Sequence, residues 1–300
     1  MARLALFFAI VVVTGVFFGG GCLGEETGPD HPGGVAVRCG EDCAGLLFPA
    51  DDPYAPYLAD PHRPGFGAQR MLYGKNAIPA ASSDRLNVKV GGVFGVFRAT
   101  SVEKPARAWQ IGVIGAFDSM FDMGNAMDSI GWNGNYGLQW SARYRPDLAA
   151  RVGWFHRSAH LGDEYQERTG RQRIGYTREE LGVGISWEPL DRVRLYGDAG
   201  YGYGLGNRDL MAPWRLQGGI EYRGGPVLLQ RKVSWYSSLD ATAMEERDWR
   251  TDLTLQLGLM LFSGGRTWRL GLEQYYGRPT VGEFFSVTEQ YLSAGIWMDW

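Results

Sequence analysis

Long apolar runs are scarce in this 300-residue chain. Beyond one predominantly apolar stretch at Leu4–Phe18, nothing approaches the roughly 20 residues that a membrane-spanning helix requires. An excess of basic charge is missing too: 30 Lys and Arg against 33 Asp and Glu leave a net charge of -3. No basic face argues for nucleic acid, so it is not expected as a partner. Cysteine is rare at three, and histidine at four. What the chain has instead is 44 Gly, 11 Trp and 15 Tyr. Glycine and aromatics without long apolar runs suit a transmembrane β-barrel, whose apolar residues occupy alternate positions.

The N-terminus reads as an export signal. Met1, Ala2 and Arg3 form a short positive region, Leu4–Phe18 an apolar one, and Gly19, Gly20 and Gly21 precede Cys22. A single membrane anchor is the alternative, although the run is short for one. The expected division is a signal peptide over 1–21, a periplasmic linker over 22–63 and a barrel over 64–300. Cys22 behind small residues is a candidate for lipidation, which would account for the odd cysteine. Cys39 and Cys43, in CGEDC, are close enough for a small disulfide in an oxidising compartment. A metal on this pair lacks a nearby His or second Cys pair.

Residues 23–63 are rich in Gly, Pro, Asp and Glu and carry no sustained periodicity. Strands follow. In Trp249–Phe262, Leu253, Leu255, Leu257, Leu259 and Leu261 alternate with Asp252, Thr254, Gln256 and Gly258, the period-two signature of a strand with one apolar face. The same alternation joins Trp109, Ile111, Val113 and Phe117, then Ile130, Trp132, Tyr136, Leu138, Trp140 and Tyr144, then Leu181, Val183, Ile185 and Trp187. The opposite faces carry charges of both signs, which cannot face lipid and so line a lumen as Arg–carboxylate networks. Short turns are expected at 145–148, 188–191, 223–226 and 263–266, and longer loops near 119–129, 161–176, 203–213, 238–248 and 277–289. Short periplasmic turns and long outer loops mark bacterial outer-membrane barrels. Eleven strands are legible from Leu86 onward, and a weak one around Phe66–Tyr73 makes the expected all-β, antiparallel up-and-down barrel about twelve-stranded. The closing stretch YLSAGIWMDW ends on Trp300, which resembles the signal read by the outer-membrane assembly machinery.

Four stretches, LFPADDPYAPYLADPHRP (47–64), FHRSAHLGDEY (155–165), LYGDAGY (195–201) and YYGRPTVGEFF (275–285), resemble the domain-of-unknown-function 1207 family. The resemblance implies a bacterial outer-membrane barrel and no particular activity.

FHRSAHLGDEY is the candidate site. Val152 and Trp154 set the lipid face of its strand, and Arg151 and Arg157 the lumen face; by parity His156 and Ser158 face lipid near the loop end. Glu179 on the next strand has outward parity and is expected about opposite Ser158. Serine becomes a nucleophile when a histidine takes its proton and a carboxylate fixes the imidazole. His-x-Ser with a third member on the next strand is similar to outer-membrane phospholipase A and lipid A deacylase. On that resemblance Ser158 is the nucleophile, His156 the base and Glu179 its orienting group in a lipid acyl-ester hydrolase. Those families usually place Asn after the Ser, where this chain has Ala159. The plainer reading is that these polar residues meet headgroups and water. Asp163 and Glu164 cap the turn or hold a divalent cation such as Ca2+ that bridges lipopolysaccharide. His62 is expected to plug the barrel or anchor its first strand, and GYGYGLG (200–206) to be a barrel bend, with no helix behind it to hold a phosphate. Three functions are consistent with all this: a structural, binding or narrow transport role with outer-membrane lipids as partners, a lipid hydrolase, and a small-solute channel. Many inward Arg and Glu weigh against a wide pore.

Overall fold

The computed structural model describes residues 34–228, 233–263 and 266–299. The expected signal peptide, the lipidation at Cys22 and the terminal Trp300 lie outside the described residues. The strands are β1 (Val35–Arg38), β2 (Cys43–Leu47), β3 (Phe66–Lys75), β4 (Asp84–Ser101), β5 (Ala108–Asp122), β6 (Asp128–Arg145), β7 (Leu148–Leu161), β8 (Thr177–Leu190), β9 (Val193–Leu205), β10 (Trp214–Leu228), β11 (Val233–Met244), β12 (Thr251–Ser263), β13 (Arg266–Gly277) and β14 (Glu289–Asp299), with one short helix, α1 (Asp163–Thr169). From β3 to β14 each strand pairs antiparallel with the next, and β14 pairs back onto β3. The result is a closed twelve-stranded barrel with no free edge, the arrangement that lets strands satisfy their backbone groups within a bilayer. Before it, the β1–β2 hairpin adds to the far half of β4, where Cys43↔Ser101 and Leu47↔Phe97 are in register. A disulfide joins Cys39 to Cys43 across the hairpin tip.

The outer face is the apolar one. Leu181, Val183, Ile185, Leu253, Leu255 and Leu257 are all exposed, a cost in water that lipid removes. The inner face holds the charges. Arg215 pairs with Glu180 and Asp198, and Arg178 with Glu180, all nearly inaccessible. Gly200 and Gly202 make this network possible: a Cβ on Gly200 would fall 2.2 Å from Glu180, and one on Gly202 3.0 Å from Arg178. The glycines of GYGYGLG thus open room for buried ion pairs on β9.

Two expectations shift. Ile130 does not join the outer stripe of β6; a register slip opposite Met120/Phe121 turns it inward, where it is fully buried. The turn expected at 223–226 lies inside β10, whose irregular register with β11 at Arg223/Pro226 absorbs the glycines and proline.

Both ends of the barrel are filled. At the loop end Met71, Ile78, Ile130, Tyr165, Val281 and Phe284 form one buried cluster. Glu283 ties the loop before β14 to the loop after α1 by accepting the backbone N–H groups of Ile174, Gly175 and Tyr176. At the turn end the chain between β2 and β3 runs into the lumen. Its carbonyls are taken by cations of the wall: Arg98 donates to Asp51, Arg143 to Pro53, Arg194 to Ala55 and Pro56, Arg269 to Leu58 and Lys89 to Pro61. Tyr57 stacks on Tyr196 with ring centroids 3.8 Å apart, and Arg63 closes the segment onto β14 through Asp299 at 2.5 Å. His62 lies within this inserted segment, its imidazole Nε2 buried without a partner.

Candidate functional site

His156 and Glu179 face each other directly in the β7–β8 register, and Ser158 faces Thr177. The expectation had set Glu179 about opposite Ser158; with the loop from Gly162 to Tyr176 and its helical turn, the register differs from that by two residues. The consequence is closer contact with the histidine. The Nδ1–H of His156 donates to Glu179 Oε1 over 2.5 Å, and the Trp154 indole donates to Glu179 Oε2 over 3.0 Å. Tyr136, the β6 neighbour of His156, stacks on the imidazole with centroids 4.0 Å apart. The ring is therefore fixed from two sides, with one nitrogen committed and Nε2 making no hydrogen bond among the described residues.

Ser158 stands two positions further along β7 on the same face. Its hydroxyl makes no hydrogen bond to His156 or to any other group among the described residues. The structure thus brings two of the three candidate residues together and leaves the third beside them. The face is the lipid face: Val152 and Leu181, of the same parity on the two strands, are exposed. Around the dyad runs an aromatic surface in which Trp132 stacks on His160 at 4.1 Å and Phe117 lies 5.2 Å from Trp132. Aromatic rings with polar tips are the usual furniture of a bilayer–water boundary.

Asp163 and Glu164 open α1 at the loop end. Asp163 is ion-paired with Arg173 at 3.4 Å, and no set of three His, Cys, Asp or Glu side chains that could hold a metal occurs among the described residues. Sequence reading missed Trp154 and Tyr136 as supports of the histidine. Their outward parity was legible; their reach to Glu179 and His156 depends on cross-strand register.

The model of one protein family matches residues 42–300, which take in β2, the inserted segment and all twelve barrel strands but not β1. The chain belongs to the DUF1207 family, described as a protein of unknown function. No curated protein matches it. Among solved structures it is similar to outer membrane phospholipase A from Escherichia coli, with 13% identity, a TM-score of 0.58 and coverage of 81% of this chain and 93% of that one. The dimer of the Salmonella typhi outer membrane phospholipase with bound calcium is similar at 13% identity and a TM-score of 0.58, covering 82% of this chain and 94% of that one. LpxR from Salmonella typhimurium covers 79% of this chain and 100% of its own, at 11% identity and a TM-score of 0.42. At such identities the likeness concerns the fold: this DUF1207 protein is an outer-membrane type of β-barrel.

Proposed function

We propose that this DUF1207 protein is an acyl-ester hydrolase of outer-leaflet lipids, with Ser158 as nucleophile, His156 as general base and Glu179 as the residue that orients it. The observation that carries the reading is the 2.5 Å bond between His156 Nδ1 and Glu179 Oε1 on the lipid-facing surface. A carboxylate on one imidazole nitrogen leaves the other to accept a proton. A serine two positions along a strand stands on the same face, about 7 Å away between Cβ atoms, and a rotation about its χ1 sweeps the hydroxyl toward the ring. The Ser158–His156 hydrogen bond is absent in the free protein and would form as substrate binds, as catalytic contacts commonly do. In the reaction His156 Nε2 takes the Ser158 proton as Oγ attacks the ester carbonyl. The same nitrogen returns the proton to the departing alcohol, and water then releases the fatty acid from Ser158 by the reverse roles. A site on the outer wall receives an ester from the bilayer without passage through the lumen. The similarity in fold to outer membrane phospholipase A is in keeping with this reading. The inserted segment and buried ion pairs weigh against the small-solute channel.

The test is hydrolysis of phosphatidylethanolamine and of lipid A in mixed micelles by the refolded full chain. Release of fatty acid that Ser158→Ala lowers at least ~1,000-fold supports the reading; equal rates in both proteins, or no release from either lipid, overturn it.

A further inference from the structure

The lumen contains a cavity of about 260 Å³ between the inserted segment and the walls of β6, β7 and β10. Its lining is unusual in what it leaves unmatched. Arg157 points into it from β7 and makes neither an ion pair nor a hydrogen bond among the described residues. Among the described residues, the other arginines of the lumen grip a carboxylate, a carbonyl or a side-chain oxygen, as Arg151, Arg194, Arg215 and Arg143 do. Gln139, 3% exposed and lining the same cavity, gives its Nε2–H to Asp52 at 3.3 Å while its Oε1 has no donor. On the inserted segment, Asp60 takes the backbone N–H of His62 and makes no ion pair within 4 Å among the described residues, with Lys89 and Arg157 acting on it from further away. A guanidinium with no hydrogen bond, an amide oxygen with no donor and a carboxylate with no ion pair within 4 Å, although Glu180 and Asp60 attract Arg157 through space, therefore face a space large enough for about ten non-hydrogen atoms, at some 20–30 Å³ each.

We propose that this cavity binds a small organic anion that also carries a hydrogen-bond donor, such as a hydroxy- or amino-carboxylate. Arg157 takes its charged group, and its donor is shared between Gln139 Oε1 and Asp60. A guanidinium held away from bulk water is costly without a partner, and a planar carboxylate matches its donor geometry in two parallel bonds. Water alone satisfies the amide but gives the guanidinium no charged acceptor within hydrogen-bond reach. Ala50, Asp51, Arg63, Gly65 and Asp299 complete the lining toward the turn end, and a cavity enclosed between lumen walls and the inserted segment takes a free solute rather than a lipid headgroup from the outer face. Tyr136 and His156 border the same cavity, but the groups offered to the ligand are Arg157, Gln139 and Asp60, so the proposal does not rest on the hydrolase reading.

The experiment is thermal unfolding of the refolded full chain in detergent, titrated with lactate and with lactamide as the uncharged counterpart, for the natural protein, Arg157→Gln and Arg157→Lys. A ligand that binds only the folded state raises the midpoint saturably. The expected result is saturable stabilisation by lactate and none by lactamide, an apparent Kd at least tenfold weaker in Arg157→Gln, and partial retention in Arg157→Lys. Without lactate, Arg157→Gln loses the through-space attraction to Glu180 and Asp60 but no hydrogen bond or ion pair, so each protein's lactate effect is read against its own ligand-free midpoint. The proposal is overturned by the absence of a saturable lactate effect, by an equal effect in Arg157→Gln, or by an equal effect of lactamide.

Discussion

Glu179 holds His156 from directly across the β7–β8 ladder, carboxylate to Nδ1 at 2.5 Å, while Trp154 holds the other carboxylate oxygen at 3.0 Å. Such a dyad differs from an ordinary surface ion pair because its geometry is determined by backbone register and by a stacked ring. In the hydrolase reading, Glu179→Gln keeps an oxygen for the Nδ1–H but removes the charge that stabilises the imidazolium. Its kcat is expected to fall by on the order of 10²–10⁴-fold with KM little changed. Trp154→Phe frees one carboxylate oxygen and is expected to lower kcat by about tenfold or less, the loss of one net hydrogen bond. Steady-state kinetics on micellar phospholipid separates the two; a Trp154→Phe defect as deep as that of Glu179→Gln would remove the orienting role assigned to the carboxylate.

The inserted segment makes a separate prediction. Arg98, Arg143, Arg194, Arg269 and Lys89 bind successive carbonyls between Asp51 and Pro61, and Arg63 locks the far end to Asp299. Six cationic anchors on one short stretch of chain make it a resident plug. In planar bilayers the full chain is expected to show no open steps of porin size. Replacing residues 50–62 by a flexible Gly/Ser linker of equal length is expected to produce steps that fall as Arg178 and Arg215 are kept intact, since their ion pairs still narrow the lumen. Open steps from the full chain would show that the segment does not reside in the lumen.

How much of this was readable beforehand follows from what kind of interaction carries each feature. The lipid face of β8 and β12 was legible because a side-chain period of two is a local property of the chain. Ile130 was misplaced because one extra residue on β6 reverses parity, and nothing local announces a slip that depends on the partner strand. His156 and Ser158 were assigned the correct face by parity alone, whereas the pairing of Glu179 with His156 rather than Ser158 required the length of the ordered loop. The plug was the hardest feature to read. Its segment has no periodicity because its partners are four arginines and a lysine on four different strands that reach main-chain oxygens, and any sequence offers those oxygens.

His62 gives the plug a pH dependence. Burial pushes its imidazole pKa well below the ordinary value near 6.5, and Arg278, Lys89, Arg157 and Arg247 push in the same direction. In the folded state the ring stays neutral, while the unfolded chain takes up a proton as the pH falls through 6.5. The folded state then binds fewer protons, so stability present above about pH 6.5 is lost as the pH falls below it, by at most about 1.4 kcal/mol per pH unit. His62→Gln is expected to remove that part of the slope between pH 6.5 and 5. Urea unfolding at several pH values measures it, and identical slopes in the two proteins would mean that His62 is charged or exposed in the folded barrel.

The last prediction concerns barrel closure at the loop end. Arg85 on β4 and Glu289 at the start of β14 form an ion pair at 3.0 Å with both side chains fully inaccessible. Glu289 also accepts the backbone N–H groups of Ala77 and Ile78 in the β3–β4 loop, and Arg85 donates to Ser82. The pair therefore spans the junction of β3, β4 and β14 and fastens the connecting loop. Arg85→Met leaves Glu289 buried with no counter-ion and is expected to destabilise the barrel by about 3–5 kcal/mol. Glu289→Gln keeps an acceptor for the loop amides but strands the guanidinium, and is expected to fall in the same range. The double variant removes both charges, so it is expected to lose less than the sum of the two single losses by at least about 1 kcal/mol, the coupling of contacting residues. Reversible urea unfolding in phospholipid vesicles gives all three values. Strict additivity would mean that the two side chains do not stabilise each other and that the loop amides alone hold Glu289 in place.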